Sequence, residues 1–172
     1  GRRPNLTEED FLLEIEANNE TGSRAVVAAR TIVELLEDAE FVVDRQPTSF
    51  AIKLDNPGGS GRLSLGVLTT GSGAYAYHEW LFDQVRRYSG GDEEAASEVL
   101  DAHVDLYRGF DAQTTGQKEL GSVTAPKNST VKYDVLAGRE AEFVEKLDGL
   151  RTLILARLTG SGHAAGPVAT AA

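Results

Sequence analysis

Hydrophobic and polar positions divide the chain into four helical stretches and one alternating stretch that lies between them. Thr7, followed by three acidic residues, predicts the start of a first helix that ends near Asn18. Apolar residues at helical spacing predict a second helix over residues 22–40, a third over 92–108 and a last one over 140–158. The apolar stripes of the last two helices comprise Ala96, Val99, Leu100, Val104 and Tyr107, and Phe143, Leu147, Leu150, Ile154 and Leu158.

The alternating stretch spans residues 41–81 and predicts four short strands. Phe50, Ile52 and Leu54 alternate with more polar positions, as in a strand with one buried face. A turn follows over residues 55–61, where one proline and three glycines interrupt any regular element. The four strands are predicted near residues 41–43, 49–54, 63–67 and 74–81.

Residues 74–81 carry the main ambiguity of the chain. Two alanines allow this segment to begin a helix, whereas its dense aromatic residues and the short glycine-containing link before it favour a strand. As a strand, the segment places Tyr75 and Tyr77 on one face and His78 and Trp80 on the other. We take the strand as the prediction and the helix as its alternative.

These elements predict an α+β fold in which a four-stranded antiparallel β-meander has two N-terminal helices and two C-terminal helices packed on one face. Residues 109–137 are predicted to be loop, apart from a short extended piece at 131–133. We expect a single α+β domain over residues 5–158, because a chain of 172 residues is long enough to bury a sizeable core. A flexible tail rich in glycine and alanine is predicted over residues 159–172.

The composition narrows the classes of molecule that the protein is expected to bind. The chain has 17 lysine and arginine residues against 27 aspartate and glutamate residues, which gives a formal net charge of −10. This charge disfavours nucleic acid and anionic membrane surfaces, since both are bound through lysine and arginine. The sequence has no run of about 18 apolar residues and no cysteine, so neither a membrane span nor thiol chemistry is expected. We expect a cytoplasmic protein and, because methionine is absent even at position 1, a processed chain or a segment of a longer one.

The order of these patterns resembles a loosely defined group of bacterial accessory domains with an α+β fold. The likeness begins with the acidic capped helix NLTEEDFLLEI and the alanine- and arginine-containing helix AARTIVELLEDAEF. It continues with the hairpin LSLGVLTTGSGAYAYHEWL, and an acidic helix and a last amphipathic helix close the pattern. The resemblance implies a bacterial origin and a strand over residues 74–81. It implies no particular activity and no functional residue.

Motifs that would support catalysis or cofactor binding are few. Residues 71–76 read GSGAYA and fit the letters of a dinucleotide-binding turn, but that turn must lead into a helix, whereas a strand is predicted here. His78 and Glu79 adjoin and His103 lies on the third helix, yet no two histidines have the spacing of metal ligands on one helix. We therefore predict no cofactor, no metal and no catalytic residue.

The aromatic residues of segment 74–81 are the strongest candidate for a binding surface, although the same side chains could pack in the core. We predict a protein partner bound through Tyr75, Tyr77, His78 and Trp80, because tyrosine and tryptophan suit contacts with one dry and one wet end. The leading hypothesis is a non-catalytic, acidic interaction or accessory domain of a bacterial protein. The alternatives are a hydrolase of unfamiliar type that uses His78, Glu79 or His103, and an immunity- or chaperone-like protein that masks a basic client. A homodimer is compatible with the sequence.

Overall fold

Six helices and eight strands make up the computed structural model, which describes residues 3–165 of the chain. The helices are α1 (Glu8–Asn18), α2 (Gly22–Asp38), α3 (His78–Tyr88), α4 (Glu93–Arg108), α5 (Tyr133–Leu136) and α6 (Glu140–Ala165). The strands are β1 (Val42–Arg45), β2 (Ser49–Asp55), β3 (Arg62–Thr69), β4 (Gly73–Tyr77), β5 (Gln113–Thr115), β6 (Lys118–Leu120), β7 (Val123–Ala125) and β8 (Asn128–Lys132). One antiparallel sheet has the order β1-β2-β3-β4-β8-β5, and β6 and β7 form a separate hairpin.

Local sequence signals account for the helices that the hydrophobic pattern predicts. The Thr7 side chain accepts a hydrogen bond from the backbone N–H of Asp10 at 3.1 Å, which caps α1 as predicted. Asp92 caps α4 in the same way by accepting from the N–H of Ala95 at 3.0 Å. Every residue of the two predicted apolar stripes on α4 and α6 is buried, so both stripes are confirmed.

The predicted class, α+β with an antiparallel sheet, is confirmed, but the strand number and the helix arrangement are wrong. Strands β1 to β4 form the predicted meander, and β8 and β5 extend it to six strands. Both added strands come from residues 109–137, which were predicted to be loop apart from an extended piece at 131–133; β8 includes the first two residues of that piece, and Tyr133 begins α5. All three residues of β5 are exposed, so this strand has no apolar alternation that a sequence pattern could reveal. The helices are spread through the chain, because α3 and α4 lie between β4 and β5.

The segment predicted as the fourth strand is a strand only in its first half. β4 ends at Tyr77 and α3 begins at His78, so the prediction that His78 and Trp80 lie on a strand is wrong. Buried residues recur at helical spacing along α3: His78, Leu81, Phe82 and Val85. The helix also protects the part of β3 that the short β4 leaves unpaired, since the side-chain oxygen of Gln84 accepts from the backbone N–H of Ser64 at 2.8 Å.

The two faces of the six-stranded sheet have different environments. The face that packs into the helical core contains Phe50, Ile52, Leu63, Leu68, Ala74, Ala76 and Val131. On the opposite face, Val67, Tyr75 and Thr130 occupy neighbouring positions on β3, β4 and β8 and are only partly buried. The second face therefore offers side chains to solvent in the middle of the sheet.

The C-terminal helix continues beyond the end that the sequence pattern predicts. α6 ends at Ala165, and residues 166–172 of the predicted tail lie outside the described residues. The single domain over residues 5–158 and the flexible tail remain predictions. Within residues 3–165, no helix combines the length and the hydropathy that a membrane span requires.

Candidate functional site

The junction of β4 and α3 directs neighbouring residues into opposite environments. Tyr77 and Trp80 are 42% and 54% exposed, whereas His78, between them in sequence, is fully buried. The backbone N–H of His78 donates to the carbonyl of Lys127 at 3.2 Å, which fixes the first residue of α3 against the segment that leads into β8. The junction thus creates an exposed aromatic group and a buried polar group side by side.

The group at the surface, which we call the aromatic cluster, consists of the exposed Tyr77 and Trp80 and the partly buried Tyr75. The ring centroids of Tyr75 and Tyr77 lie 4.6 Å apart at an interplanar angle of 76°, an edge-to-face contact. The rings of Tyr77 and Trp80 are stacked, with centroids 4.3 Å apart and an angle of 27°. Each such pair contributes about 0.5–1.5 kcal/mol beyond area burial, so the rings hold one another in place. Partial burial raises the pKa of the Tyr75 hydroxyl to about 12, which keeps it protonated near neutral pH.

Polar and ionic contacts surround the aromatic cluster. The ammonium group of Lys118 donates to a carboxylate oxygen of Glu79 at 2.6 Å, which joins the start of α3 to β6. Tyr77 lies opposite Asn128 in the sheet, and the side chain of Asn128 accepts a hydrogen bond from the hydroxyl of Thr115. Because exposed ion pairs contribute only about 0–1 kcal/mol, these contacts shape the rim of the cluster more than they stabilise the fold.

A β-bulge between β2 and β3 supplies the backbone carbonyl of the buried polar group. The register between β2 and β3 shifts after Ile52 and leaves Leu65 without a partner on β2. The carbonyl of Leu65 instead accepts hydrogen bonds from Nε2 of His103 at 2.8 Å and from the hydroxyl of Tyr107 at 3.1 Å. Gly66 completes the bulge with φ of 152°, and a Cβ atom at this position would overlap the Tyr107 hydroxyl.

The buried network comprises Ser129, His78, His103 and the carbonyl of Leu65. Ser129 Oγ lies 2.7 Å from Nε2 of His78, and Nδ1 of His78 lies 2.9 Å from Nδ1 of His103. The network joins β8, α3, α4 and β3 at one point inside the core. Among the described residues, no buried side-chain nitrogen or oxygen lacks a hydrogen-bond partner. The network therefore carries no penalty for an unsatisfied polar atom.

The direction of each hydrogen bond in the buried network follows from the Leu65 carbonyl at one end of the network. A backbone carbonyl can only accept, so Nε2–H of His103 donates to Leu65, and Nδ1 of a neutral His103 must accept. Nδ1–H of His78 then donates to His103, and Nε2 of His78 accepts from the hydroxyl of Ser129. One set of tautomers satisfies all four groups, provided that both imidazoles are neutral.

Burial keeps both histidines of the buried network neutral. Desolvation by burial is the main cause that lowers the pKa of His78 to about 3, and electrostatic interactions with His103 and Arg108 lower this pKa further. Desolvation also lowers the pKa of His103 to about 4, against the opposing effect of its hydrogen bond to Leu65. Both values lie well below the ordinary 6.5 of histidine, so neither ring is charged near neutral pH.

Ser129 and His78 of the buried network are arranged like a nucleophile and its base, but burial makes the serine inaccessible to substrates. A hydroxyl within hydrogen-bond distance of an imidazole can act as a nucleophile only where a substrate reaches it. Ser129 is 1% exposed and both histidines are 0% exposed. Surface cavities of about 350 and 510 Å³, near Leu13 and Val27, are lined by other residues. The described residues also contain no group of three or more His, Asp or Glu side chains that could hold a metal ion.

The structure separates the residues that the sequence proposed for binding. Tyr75, Tyr77 and Trp80 come together at the surface, with Trp80 beside the tyrosines and not on the opposite face as predicted. His78 is buried and cannot contact a partner at the surface. His78 and His103, proposed for the alternative enzyme, are in direct contact, whereas the Glu79 side chain pairs with Lys118.

Sequence reasoning missed the role of Ser129 and of the Leu65 carbonyl. Ser129 lies 51 residues from His78, and Leu65 lies 38 residues from His103, so no local motif links them. Gly66, in the middle of a predicted strand, is the one signal that pointed to an irregularity there. Comparison with known proteins adds no further assignment, because no protein-family model, no curated protein and no solved structure matches the chain.

Proposed function

We propose that this chain is a non-catalytic interaction domain that binds a protein partner through the aromatic cluster. The observation that carries the proposal is the exposed stack of Tyr77 on Trp80, 42% and 54% exposed, at the edge of a well-packed core. Tyrosine and tryptophan are the residues most enriched where binding energy concentrates in protein interfaces. The other large exposed apolar side chains among the described residues are Leu13 and Val27, which lie on α1 and α2.

The rigidity of the aromatic cluster favours binding. Tyr77 contacts rings on both sides, Tyr75 at 4.6 Å and Trp80 at 4.3 Å, so the free protein already restricts these side chains. Binding of a partner then orders these side chains at a small entropic cost. A flexible side chain would cost about 0.5–1.5 kcal/mol to immobilise. The buried network also holds the β4–α3 junction, which carries the aromatic cluster, in place. His78 connects this junction to α4 and β8 through its hydrogen bonds.

The surroundings of the aromatic cluster fit the anatomy of an interface. A specific interface covers about 800 Å² on each partner, which is more than three aromatic rings provide. The partly buried Val67 and Thr130 adjoin Tyr75 on the sheet, and the polar Asn128 adjoins Tyr77. An apolar centre with a polar rim is the arrangement that protein interfaces show. The proposed surface therefore extends from Trp80 across the open sheet face.

The alternative of a hydrolase rests on the contact between Ser129 and His78. This contact has the distance of an activated nucleophile, 2.7 Å, but the hydroxyl is buried. A fluorophosphonate probe, which labels accessible activated serines, distinguishes the two proposals. An interaction domain leaves Ser129 unlabelled in the folded protein, whereas specific labelling that the Ser129→Ala variant abolishes would favour the enzyme.

Affinity capture with paired variants tests the proposed function. The folded chain is immobilised as wild type, as Tyr77→Ala/Trp80→Ala and as a matched control, Leu13→Ala/Val27→Ala, which removes two apolar side chains of similar exposure from other surfaces. Bound proteins are identified by mass spectrometry, and their affinities for the three proteins are measured after purification. We expect a partner whose affinity falls at least about tenfold with the first variant and stays unchanged with the second, as for substitutions at an interface centre.

Two results of the capture experiment would contradict the proposal. One is a partner that binds the wild type and Tyr77→Ala/Trp80→Ala equally well, which would place the binding surface elsewhere. The other is the absence of any protein that distinguishes the wild type from this variant. Circular dichroism and thermal unfolding of each variant establish that a loss of binding is not a loss of folding.

A further inference from the structure

The buried network has no place for an added proton on His103. Nε2–H of His103 donates to the Leu65 carbonyl, so a second proton on this ring has to go on Nδ1. Nδ1 of His103 accepts from Nδ1–H of His78 across 2.9 Å, and protonation would set two N–H groups against each other at this distance. The hydrogen bond that joins α3 to α4 therefore requires a neutral His103.

The hydrogen bonds of His78 tolerate a proton better. A second proton on this ring goes on Nε2, which lies 2.7 Å from Ser129 Oγ. The hydroxyl of Ser129 can turn from donor to acceptor, so this contact survives as a hydrogen bond. His103 is therefore the residue whose protonation breaks the buried network.

The groups that face the two imidazoles are neutral or cationic. β8 contributes the Ser129 hydroxyl, β3 contributes the Leu65 carbonyl, and α4 contributes the hydroxyl of Tyr107, which shares that carbonyl. Burial raises the pKa of Tyr107 far above its ordinary value, so this hydroxyl stays uncharged. Arg108, also on α4, disfavours a further positive charge at this site. α6 adds the apolar ring of Phe143, which packs edge-on against Tyr107.

The carboxylates of the same elements lie at the surface. β3 and β8 contain no acidic residue, and among the described residues no aspartate or glutamate side chain is buried. Glu79, next to His78 on α3, pairs with Lys118. On α4, Asp105 pairs with Arg108 and Asp101 is exposed. A charged imidazole in this core therefore becomes stable when the network opens to water.

His78 connects the buried network to the aromatic cluster through the backbone. It begins α3 between Tyr77 and Trp80, and its N–H donates to the Lys127 carbonyl. The stack of Tyr77 on Trp80 spans this β4–α3 junction, so its geometry depends on how the junction is held. The rest of α3 has its own buried anchors, Leu81, Phe82 and Val85. Loss of the network is therefore expected to open the first turn of α3 and not the whole helix.

We propose that the buried network is a proton-sensitive switch for the aromatic cluster, in which a proton on His103 breaks the hydrogen bond to His78 and opens the β4–α3 junction. The aromatic cluster is then assembled near neutral pH and loosened in acid. This inference rests on the proposed function, since the switch controls the surface that binds the partner.

The direction of the pH effect follows from the difference between the closed and the opened junction. In the closed network the pKa values of His78 and His103 are about 3 and about 4, whereas rings that meet water have the ordinary 6.5. The opened junction binds more protons, so its population rises as the pH falls below about 6.5. Between pH 7 and pH 5, each imidazole raises the ratio of opened to closed junctions about twentyfold.

Amide hydrogen exchange on the wild-type chain tests the switch. The reporter is the backbone N–H of His78, and the reference is that of Ile32, in the middle of the buried face of α2 and outside the network. From pH 7 to pH 5 we expect the protection factor of the His78 N–H to fall at least about twentyfold. We also expect a lower free energy of exchange at His78 than at Ile32, as for an opening that is local.

Matched histidine variants assign the pH effect to the buried network. His103→Gln replaces the titrating ring by an amide that can still donate to Leu65 and accept from His78. We expect this variant to reduce the fall in protection about twentyfold. His163→Gln removes the third histidine of the chain, near the end of α6, and should leave the fall as in the wild type. Circular dichroism establishes that both variants are folded, and the wild-type measurement decides by itself if His103→Gln is not.

Three results would overturn the inference. The first is a protection factor at His78 that does not change between pH 7 and pH 5, or that falls equally in the wild type and in a folded His103→Gln variant. The second is an equal free energy of exchange at His78 and Ile32, because the opening would then be global unfolding. The third is a captured partner whose Kd rises in acid by the same factor for wild type and His103→Gln.

Failure of the switch is distinguishable from failure of the proposed function. Hydrogen exchange uses the chain alone, so a proton-sensitive junction can be found even if no partner is captured. Conversely, a junction that ignores pH leaves the dependence of a captured partner on Tyr77 and Trp80 intact.

Discussion

The aromatic cluster and the buried network share one short stretch of chain and have opposite physical requirements. Tyr77 and Trp80 expose large rings that the core does not need, whereas His78 is buried in hydrogen bonds that the core must satisfy. The change from strand to helix after Tyr77 makes this possible, since it rotates consecutive side chains into different environments. Neighbours in sequence therefore lie in opposite environments, and we propose that the exposed rings serve binding whereas the buried imidazole serves stability.

Acid is expected to affect the buried network most strongly. Unfolded histidines protonate near the ordinary pKa of 6.5, whereas His78 and His103 do so at about 3 and 4 in the folded chain. The unfolded state therefore binds more protons between these values, and stability falls as the pH drops below about 6.5. At about pH 5 the loss amounts to about 2 kcal/mol for each histidine, measured by urea unfolding. Imidazole NMR resonances of His78 and His103 that titrate near 6.5 in the folded chain would contradict this prediction.

Removal of His103 is expected to have the next largest effect. His103→Leu takes the acceptor from His78 and one donor from the Leu65 carbonyl, so two buried polar groups lose a partner. We expect the free energy of unfolding to fall by about 3 kcal/mol. The exposed Asp101 on the same helix provides the control, and Asp101→Asn should change the free energy by less than about 0.5 kcal/mol. A neutral or stabilising His103→Leu substitution would mean that the network does not stabilise the fold.

Ser129→Ala tests the outer end of the network. The substitution removes the hydroxyl that donates to Nε2 of His78, and we expect a loss of about 1–2 kcal/mol in urea unfolding. Thr130, the next residue of β8, lies on the other sheet face, and Thr130→Ala is the matched control with the smaller expected effect. A larger loss for Thr130→Ala than for Ser129→Ala would reverse the assignment of the two faces.

The aromatic cluster is expected to have the smallest effect on stability. Tyr77→Ala and Trp80→Ala each remove a ring contact at the surface, so each should lower the free energy of unfolding by only about 1 kcal/mol. Thermal and urea unfolding of the two variants measure this loss. A loss above about 3 kcal/mol would place these rings among the residues that hold the core together.

Helices α1, α2, α4 and α6 and the first three strands were predictable because their signals are local. Thr7 and Asp92 cap helices through residues three positions away, and the stripes of α4 and α6 follow helical spacing. The alternation of Phe50 and Ile52 likewise predicts strand β2, in which both side chains are buried. Such features depend on neighbours within one or two turns, which a single sequence contains in full.

Strand β5, the first three residues of β8 and the start of α3 were not predictable in the same way, whereas the last two residues of β8 lie in the predicted extended piece at 131–133. β5 contains only exposed residues, and it is a strand because β8 supplies its hydrogen bonds. The composition of residues 78–80 favours a strand. The tertiary contacts of His78 and of the other buried residues of α3 stabilise a helix there instead.

The candidate site was predictable in part. The density of tyrosine and tryptophan indicated Tyr75, Tyr77 and Trp80, and these three residues do assemble at the surface. The position of His78 could not be predicted, because its partners His103 and Ser129 lie 25 and 51 residues away and meet it only in the folded chain.

The most direct test of the account measures binding and stability on one protein, the Tyr77→Ala/Trp80→Ala variant. Its affinity for the captured partner and its free energy of unfolding are compared with those of the wild type. The account predicts an affinity at least about tenfold lower and a free energy of unfolding within about 2 kcal/mol of the wild type. Unchanged affinity together with a large loss of stability would contradict it, because the aromatic cluster would then belong to the core.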